Sequence, residues 1–381
     1  MNRNKWTLIL LSIAFMANIF SCQKSLLKGI SSNDIEGIWY WCGDTQRSGL
    51  SSEEMTPPLK LLWTHKAHAA LGQAITASDS FLVFGTKDGW VTILALDKGE
   101  KIREIKIKKK VSITCLFDKN LLFVAQHWDN LTLRAFDFDT GKTIWEKNKG
   151  SIISEPLIDG NRLICGNEEG QIFVLNTLSG EDLWEKDIGE SISGYALNSD
   201  STLIVATDEG TVYAFSSFDG KLMWKQNLSG SIAANPVLSD ELLYIGTQEG
   251  NFYCLSIHNG SVLWQYKDKG GIYLTAATDK TNIYFGTTQG IIYCLDAYSG
   301  KEKWRFETDS VIGTSPLVSG RWIYFGTLDK MCYGISRETG EEKWKFEARG
   351  RIRTSPLIWN GMLIIASEDR YVYGFKEENP F

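Results

Sequence analysis

From about residue 30 onward the apolar positions of this chain recur at spacings of one or two. They do not settle into the three-or-four-residue spacing of a helix, so the pattern predicts strands. The stretch Thr314 to Phe346 shows the unit: TSPLVSG, RWIYFGTLDK, MCYGISRETG and EEKWKF are four short strand-like runs parted by turn residues. Pro316 falls early in the first run, where a missing N–H costs least. The second run, Trp322 to Phe325, is continuously apolar, which suits a strand covered on both faces. A tight hairpin follows, marked in successive units by Asp88-Gly89, Glu169-Gly170, Glu209-Gly210, Glu249-Gly250 and Gln289-Gly290. The third run ends at another glycine (Gly99, Gly141, Gly180, Gly220, Gly260, Gly300, Gly340), and the fourth carries a tryptophan.

Those tryptophans set the period. Trp145, Trp184, Trp224, Trp264, Trp304 and Trp344 are separated by 39 and then four times by 40 residues. Extended backwards, the ladder passes a slot holding Arg103 or Ile105 and lands on Trp63. Four strands in a repeat of this length are the unit of a β-propeller blade. Second strands begin near Phe81, Leu121, Leu163, Leu203, Leu242, Ile283, Ile323 and Leu363, which makes eight. The last repeat stops at Phe375 without a tryptophan strand, and Leu61-Leu62-Trp63-Thr64 is the strand left over at the other end. The expectation is therefore an all-β, eight-bladed propeller of four-stranded antiparallel blades. The strand near Trp63 joins the C-terminal blade and hides two sheet edges. Trp63 and the six later tryptophans are expected as docking residues, and the first blade, lacking one, as the least well packed.

The N-terminus has a different pattern. Arg3 and Lys5 precede an uncharged run from Trp6 to Phe20, then Ser21 and Cys22. A basic start, a short apolar run and a small residue before the cut describe a secretory signal. Cysteine directly after the small residue predicts lipoprotein processing, with lipid on Cys22, although Phe20 is bulky for a lipobox. Gln23, not aspartate, follows the cysteine, which the enterobacterial sorting rule assigns to the outer membrane. The chain divides into a signal peptide (1–21), a tether (22–36) and the propeller (37–381), predicting a monomer anchored extracytoplasmically through Cys22.

A net charge of −6 gives no general footprint for nucleic acid. Cys42, Cys115, Cys165, Cys254, Cys294 and Cys332 would remain after processing; Cys254 and Cys294 fill one slot in consecutive repeats, where Ala135, Ala214, Gly334 and Gly374 stand elsewhere. A slot for small buried side chains predicts free core thiols, because blades about 10 Å apart exceed disulfide reach. His65 and His68 lack a third metal ligand, and Gly141-Lys142-Thr143 lacks the upstream glycine of a phosphate loop, Phe136 standing there instead. No metal and no cofactor is expected.

The stretch Leu295-Asp296-Ala297-Tyr298-Ser299-Gly300-Lys301-Glu302-Lys303-Trp304, with its relatives DFDTGKTIW, NTLSGEDLW, SSFDGKLMW, SIHNGSVLW and SRETGEEKW, resembles the tryptophan-docking repeat of the pyrroloquinoline-quinone (PQQ)-type propellers. Trp41-Cys42-Gly43-Asp44-Thr45-Gln46-Arg47-Ser48-Gly49 resembles that superfamily's lead-in segment. Within it the chain is most similar to BamB-like lipoproteins of outer-membrane β-barrel assembly. That implies a non-catalytic scaffold with a protein partner such as an Omp85-type barrel assembly complex. The Leu-x-Leu-Arg and Asp-x-Asp partner loops of that group are absent; Gly150-Ser151-Ile152-Ile153 and Gly189-Glu190-Ser191-Ile192-Ser193 stand in their places. A quinoprotein dehydrogenase is the alternative, but its adjacent cysteine pair is missing, as is a CxxCH haem site. A surface adhesion or glycan-binding lipoprotein is the third reading.

The copies differ most in the loops between blades. Ser229-Gly230-Ser231, Gly189-Glu190-Ser191 and Thr308-Asp309-Ser310 are neutral or mildly acidic. Three others are basic: His65, Lys66 and His68 lead into the first blade, Lys106, Lys108, Lys109 and Lys110 into the second, and Arg349, Arg351 and Arg353 into the last. Ring closure makes these three loops neighbours. The residues are either solvated guards of an exposed edge or a basic arc for an anionic partner, with Lys66, Lys108, Lys109, Lys110, Arg349, Arg351 and Arg353 as candidate contacts. Glutamate at Lys108, Lys109 and Lys110 is expected to weaken capture of such a partner and flatten its salt dependence. Binding curves that match the wild type across a salt series would remove the expectation.

Overall fold

The computed structural model describes residues 44–378 apart from 79, 108–114, 119, 127–131, 153–154 and 198–201. The expected signal peptide, Cys22, the expected tether, Trp41 to Gly43 and Lys108 to Lys110 lie outside the described residues. Within them the chain is strand, turn and bend. Eight antiparallel sheets follow in chain order. Blade 1 is Leu71–Ser78, Phe81–Thr86, Trp90–Ala95 and Lys101–Lys106, from the central channel outward. Blades 2 to 7 repeat this order over 115–147, 157–187, 192–227, 237–267, 277–307 and 317–347. Blade 8 takes three strands from the C-terminus, Ile352–Trp359, Met362–Ser367 and Tyr371–Glu377, and its outer strand, Leu59–Lys66, from the N-terminus. The closure runs from Leu59 opposite Glu377 to Lys66 opposite Tyr371, with one register shift between Leu61 and Trp63.

The core lies between blades, not within one. Leu121, Phe123 and Trp145 of blade 2 pack with Leu163, Cys165 and Phe173 of blade 3, and similar clusters fill the other junctions. A second strand is thus covered by both neighbouring blades, which is why it is buried throughout and apolar in its central positions.

Each tryptophan couples its blade to the next by two contacts. Its ring lies over the glycine that ends the next blade's third strand, and its indole N–H donates to a carbonyl in the same turn. A Cβ built on Gly99, Gly180, Gly220, Gly260, Gly300 or Gly340 would fall 2.3–2.9 Å from the ring of Trp63, Trp145, Trp184, Trp224, Trp264 or Trp304 respectively. These glycines also hold φ between +65° and +74°, where other residues are strained. The indole bonds run from Trp63 to the Leu96 carbonyl at 3.0 Å, Trp145 to Thr177 at 2.9 Å and Trp264 to Ala297 at 3.0 Å. Trp344 faces the blade whose outer turn is split between the chain termini, and it donates instead to the Leu59 carbonyl, 3.2 Å away. Burying one such ring removes roughly 150–250 Å² from water, about 4–6 kcal/mol before entropy is counted.

Arg103, not Ile105, occupies the empty slot. It pairs across the strand with Ile93 as a tryptophan would and lies under Gly141. Its guanidinium donates to the Phe138 and Asp139 carbonyls at 2.8 and 2.7 Å, so the hydrogen bond of the junction is kept while the ring is lost. Opposite the tryptophans stand Ala135, Ala214, Cys254, Cys294, Gly334 and Gly374, with the larger Val174 opposite Trp184. Cys165, Cys254, Cys294 and Cys332 are buried free thiols; burial pushes the first three up to about 12, which keeps them unreactive. Cys42 and the Cys115 side chain lie outside the described residues.

The lead-in segment closes one end of the channel. The carbonyls of Thr45, Gln46, Ser48 and Gly49 accept bonds from Leu197, Leu238, Thr278 and Val318, at the ends of the inner strands of blades 4 to 7. Leu50–Ser51 then adds a fifth, parallel strand to blade 7. Arg47, fully buried at φ +60°, reaches back to the Glu155 carbonyl beside blade 3 at 2.8 Å.

Trp264→Ala is expected to cost about 3–5 kcal/mol, and Gly300→Ala about 2–4 kcal/mol because the new methyl meets the same ring at a strained φ. Urea unfolding of both variants checks this, and a Gly300→Ala protein as stable as the wild type would contradict the docking account.

Candidate functional site

The two ends of the ring are built differently. In an antiparallel blade the turn between strands two and three lies at the same end as the loop arriving from the previous blade. Among the described residues, seven blades bond the two together: the N–H groups of Lys87, Glu168, Asp208, Gln248, Thr288, Leu328 and Glu368 donate to the carbonyls of Ala70, Ser151, Ser191, Ser231, Gly271, Val311 and Arg351. This loop face lies opposite the end closed by the lead-in segment.

On the loop face the structure brings part of the basic arc together. The Arg349 guanidinium lies 4.3 Å over the Tyr371 ring and donates to its hydroxyl at 2.7 Å. Lys66 Nζ stands 5.7 Å from the same ring. Arg370 donates to the His68 carbonyl at 3.3 Å, and the Arg370 carbonyl accepts from the Ala67 N–H. One junction further on, Lys106 Nζ lies 4.5 Å over the Trp90 ring, and the His68 imidazole stacks against that ring at 5.7 Å. Arg351 is exposed at the inner side. Arg353 is tied to Glu368 at 2.9 Å and lines two openings: a cleft of about 320 Å³ between blades 8 and 1, shared with Lys87, and one of about 280 Å³ at the channel mouth, shared with Tyr273 and Leu274. Lys108, Lys109 and Lys110 remain expectations, being outside the described residues.

Two features of this cluster were missed in the sequence. One is the aromatic platform. The residue that starts the third strand is Trp90 in blade 1 and Tyr371 in blade 8, but Gln171, Thr211, Asn251, Ile291 and Met331 in blades 3 to 7. The other is Arg370. It holds φ +80° at a turn position filled by Gly89, Gly170, Gly210, Gly250 and Gly290 in other blades, and by Lys330, also at φ +80°, in blade 7. Lining up the turns would have exposed both.

The histidines do not converge. His65 Nδ1 is 3.0 Å from the Gly99 carbonyl, while His68 Nε2 is 3.0 Å from a Glu104 carboxylate. Burial lowers the pKa of His65. Among the described residues no group of three histidine, cysteine, aspartate or glutamate side chains is arranged to hold a metal.

Across the loop face the character reverses: Glu168, Glu169, Asp208, Glu209 and Glu249 occupy the turns of blades 3 to 5. Glu190, in the loop where the Asp-x-Asp motif would stand, is committed internally. It accepts from Thr207 at 2.8 Å and Tyr213 at 2.7 Å, and Lys225 is 3.1 Å away. Partial burial pushes this carboxyl up, but the bonds from Tyr213, Thr211, Thr207 and Lys225 outweigh it and hold the pKa at about 2.

Fold and repeat together define a PQQ-type eight-bladed propeller. The family model described as outer membrane protein assembly factor BamB matches residues 60–194, 190–289 and 288–379, and the chain belongs to that family. No curated protein matches its sequence. Among solved structures it is similar to BamB from Moraxella catarrhalis, with 16% identity, TM-score 0.67 and coverage of 84% of this chain and 99% of that one. A europium-containing methanol dehydrogenase has 13% identity, TM-score 0.75 and coverage of 94% and 91%. Quinohemoprotein alcohol dehydrogenase from Comamonas testosteroni has 14% identity, TM-score 0.75 and coverage of 89% and 80%. At these identities the likeness is one of fold.

Because the folded-state pKa of Glu190 is depressed from its ordinary value near 4.5, its stabilisation is present above about 4.5 and is lost as pH falls towards 2. Glu190→Gln is expected to lower stability by about 1–2 kcal/mol at neutral pH, with the gap to wild type closing through that acid window. Denaturation midpoints across a pH series provide the check, and a gap that is constant with pH would contradict it.

Proposed function

We propose that the chain is a non-catalytic extracytoplasmic scaffold, lipid-anchored to the outer membrane through Cys22, that mediates protein contacts in β-barrel assembly. The observation that supports this is the family match, which extends through every blade from the closing strand at residue 60 to the last. The lead-in signal and Cys22 agree with such a location. The basic arc of the loop face is the candidate partner surface, since the Leu-x-Leu-Arg and Asp-x-Asp loops are absent.

The dehydrogenase reading draws on fold similarity alone. A pyrroloquinoline quinone is a multiply anionic, planar cofactor, and its site would require free cations and a flat slot in the channel. Here Arg353 at the channel mouth is paired with Glu368, and the opposite end is filled by Thr45 to Ser51 with the buried Arg47. The pairing of Arg353 and the path of Thr45 to Ser51 favour the scaffold reading over the dehydrogenase one.

Affinity capture of the lipidated protein from crosslinked native membranes, read by mass spectrometry, tests the scaffold. An Omp85-type barrel or its companion lipoproteins are expected among the captured proteins. Recovery of lipid or surface glycan alone would reject the assembly reading in favour of adhesion.

A further inference from the structure

We infer that the loop face of blades 8 and 1 binds an acidic polypeptide segment, an extended stretch rich in aspartate and glutamate on a partner protein. The inference deepens the scaffold reading by naming the surface and the chemistry of the partner.

Three observations carry it. First, Lys66, Arg349, Arg351 and Arg370 are exposed and form no ion pair among the described residues, although acids stand close by. Those acids are engaged otherwise: Glu368 holds Arg353, Asp369 accepts from Ser367, Glu104 holds Lys101 and His68, and Asp88 accepts from Thr86. Second, the cations are positioned. Arg349 and Lys66 share the Tyr371 ring, and Lys106 rests on Trp90. Such stacking lowers the entropy a side chain loses when it meets a carboxylate, and a guanidinium offers that carboxylate a planar fork. Third, two exposed cations on adjacent blades, Arg370 and Lys330, keep a left-handed φ of +80° at the turn position where glycine would be unstrained. A strained residue retained at a cost in stability marks a function served by its side chain.

The shape of the charge selects the partner. A flat anionic membrane approaching this face would meet the acidic turns of blades 3 to 5, Glu168, Glu169, Asp208, Glu209 and Glu249, as closely as the cations. Repulsion there would offset attraction at the arc. A single extended acidic chain can follow the arc across the junctions 7/8, 8/1 and 1/2 and avoid the acidic half. Complementarity of this kind acts on encounter rate and partner choice.

The test uses the full chain in neutral detergent and a fluorescein-labelled deca-glutamate peptide, read by anisotropy. The wild type is expected to bind at low salt and to lose affinity steeply as salt rises. The double variant Lys66→Glu, Arg349→Glu is expected to bind at least about tenfold more weakly. Arg370→Gly separates binding from folding, because it removes a charge and relieves the backbone: affinity should fall while the melting temperature holds or rises. Glu168→Lys on the acidic half should leave affinity within about twofold. No binding by the wild type, or equal binding by the arc variants, overturns the inference. So does arc-dependent binding of soluble dihexanoyl-phosphatidylglycerol without binding of the peptide, which would assign the surface to lipid headgroups. Peptide binding that survives while membrane capture recovers no assembly protein would reject the assembly reading and keep this surface.

Discussion

The insertion of one planar side chain per blade over the glycine of the next blade is the contact on which the rest of the ring depends. A four-stranded blade cannot bury its own faces; its apolar residues are covered only when a neighbour lies on each side. The tryptophan sets how closely and at what angle that neighbour lies. The glycine is fixed twice over, by its positive φ and by a ring that leaves no room for a Cβ. Trp344 and the Leu59 carbonyl show that the constraint persists where the chain is cut, since the missing turn is replaced by residues from the other terminus. Arg103 shows which part can be given up: the ring is replaced, and the hydrogen bond across the junction is retained.

A ring made this way is nearly symmetric, and symmetry leaves little room for function. The asymmetry is confined to two places. At one end of the channel the lead-in segment binds the inner strands of four blades, and a single buried arginine extends that hold towards a fifth. At the other end, charge is divided between the basic arc around blades 8 and 1 and the acidic turns of blades 3 to 5. Neither feature disturbs the tryptophan junctions, because loops and turns lie beyond the reach of that packing. The scaffold can therefore carry different surfaces while its core repeats.

Most of the fold was legible in the sequence, because the period is carried by residues whose roles are geometric. The spacing of Trp145 to Trp344 gave the blade, the count of second strands gave eight, and the orphan strand at Trp63 gave the closure. Less of the site was legible. The three basic loops were visible as charge, and their adjacency followed from closure. Tyr371 and Trp90 were not singled out, since only the fold shows cations resting on them. Arg370 was not singled out in the sequence, because a backbone φ is not written there. Glu190 stood in a loop read only as neutral or mildly acidic, and its carboxylate is occupied by Thr207 and Tyr213.

The sequence by itself determined what repeats: strand order, blade number, docking residues, and the small-residue slots opposite most of the tryptophans. These follow from local patterning and from sterics that act between residues at fixed offsets. Only the tertiary structure decided what does not repeat. The path of Thr45 to Ser51 across four blades, the choice of Arg103 over Ile105, and the meeting of Lys66 with Arg349 on one ring each join residues far apart in sequence or lacking any periodic signal. Closing the ring brings such residues together, and their contacts depend on side-chain directions that a one-dimensional pattern does not contain.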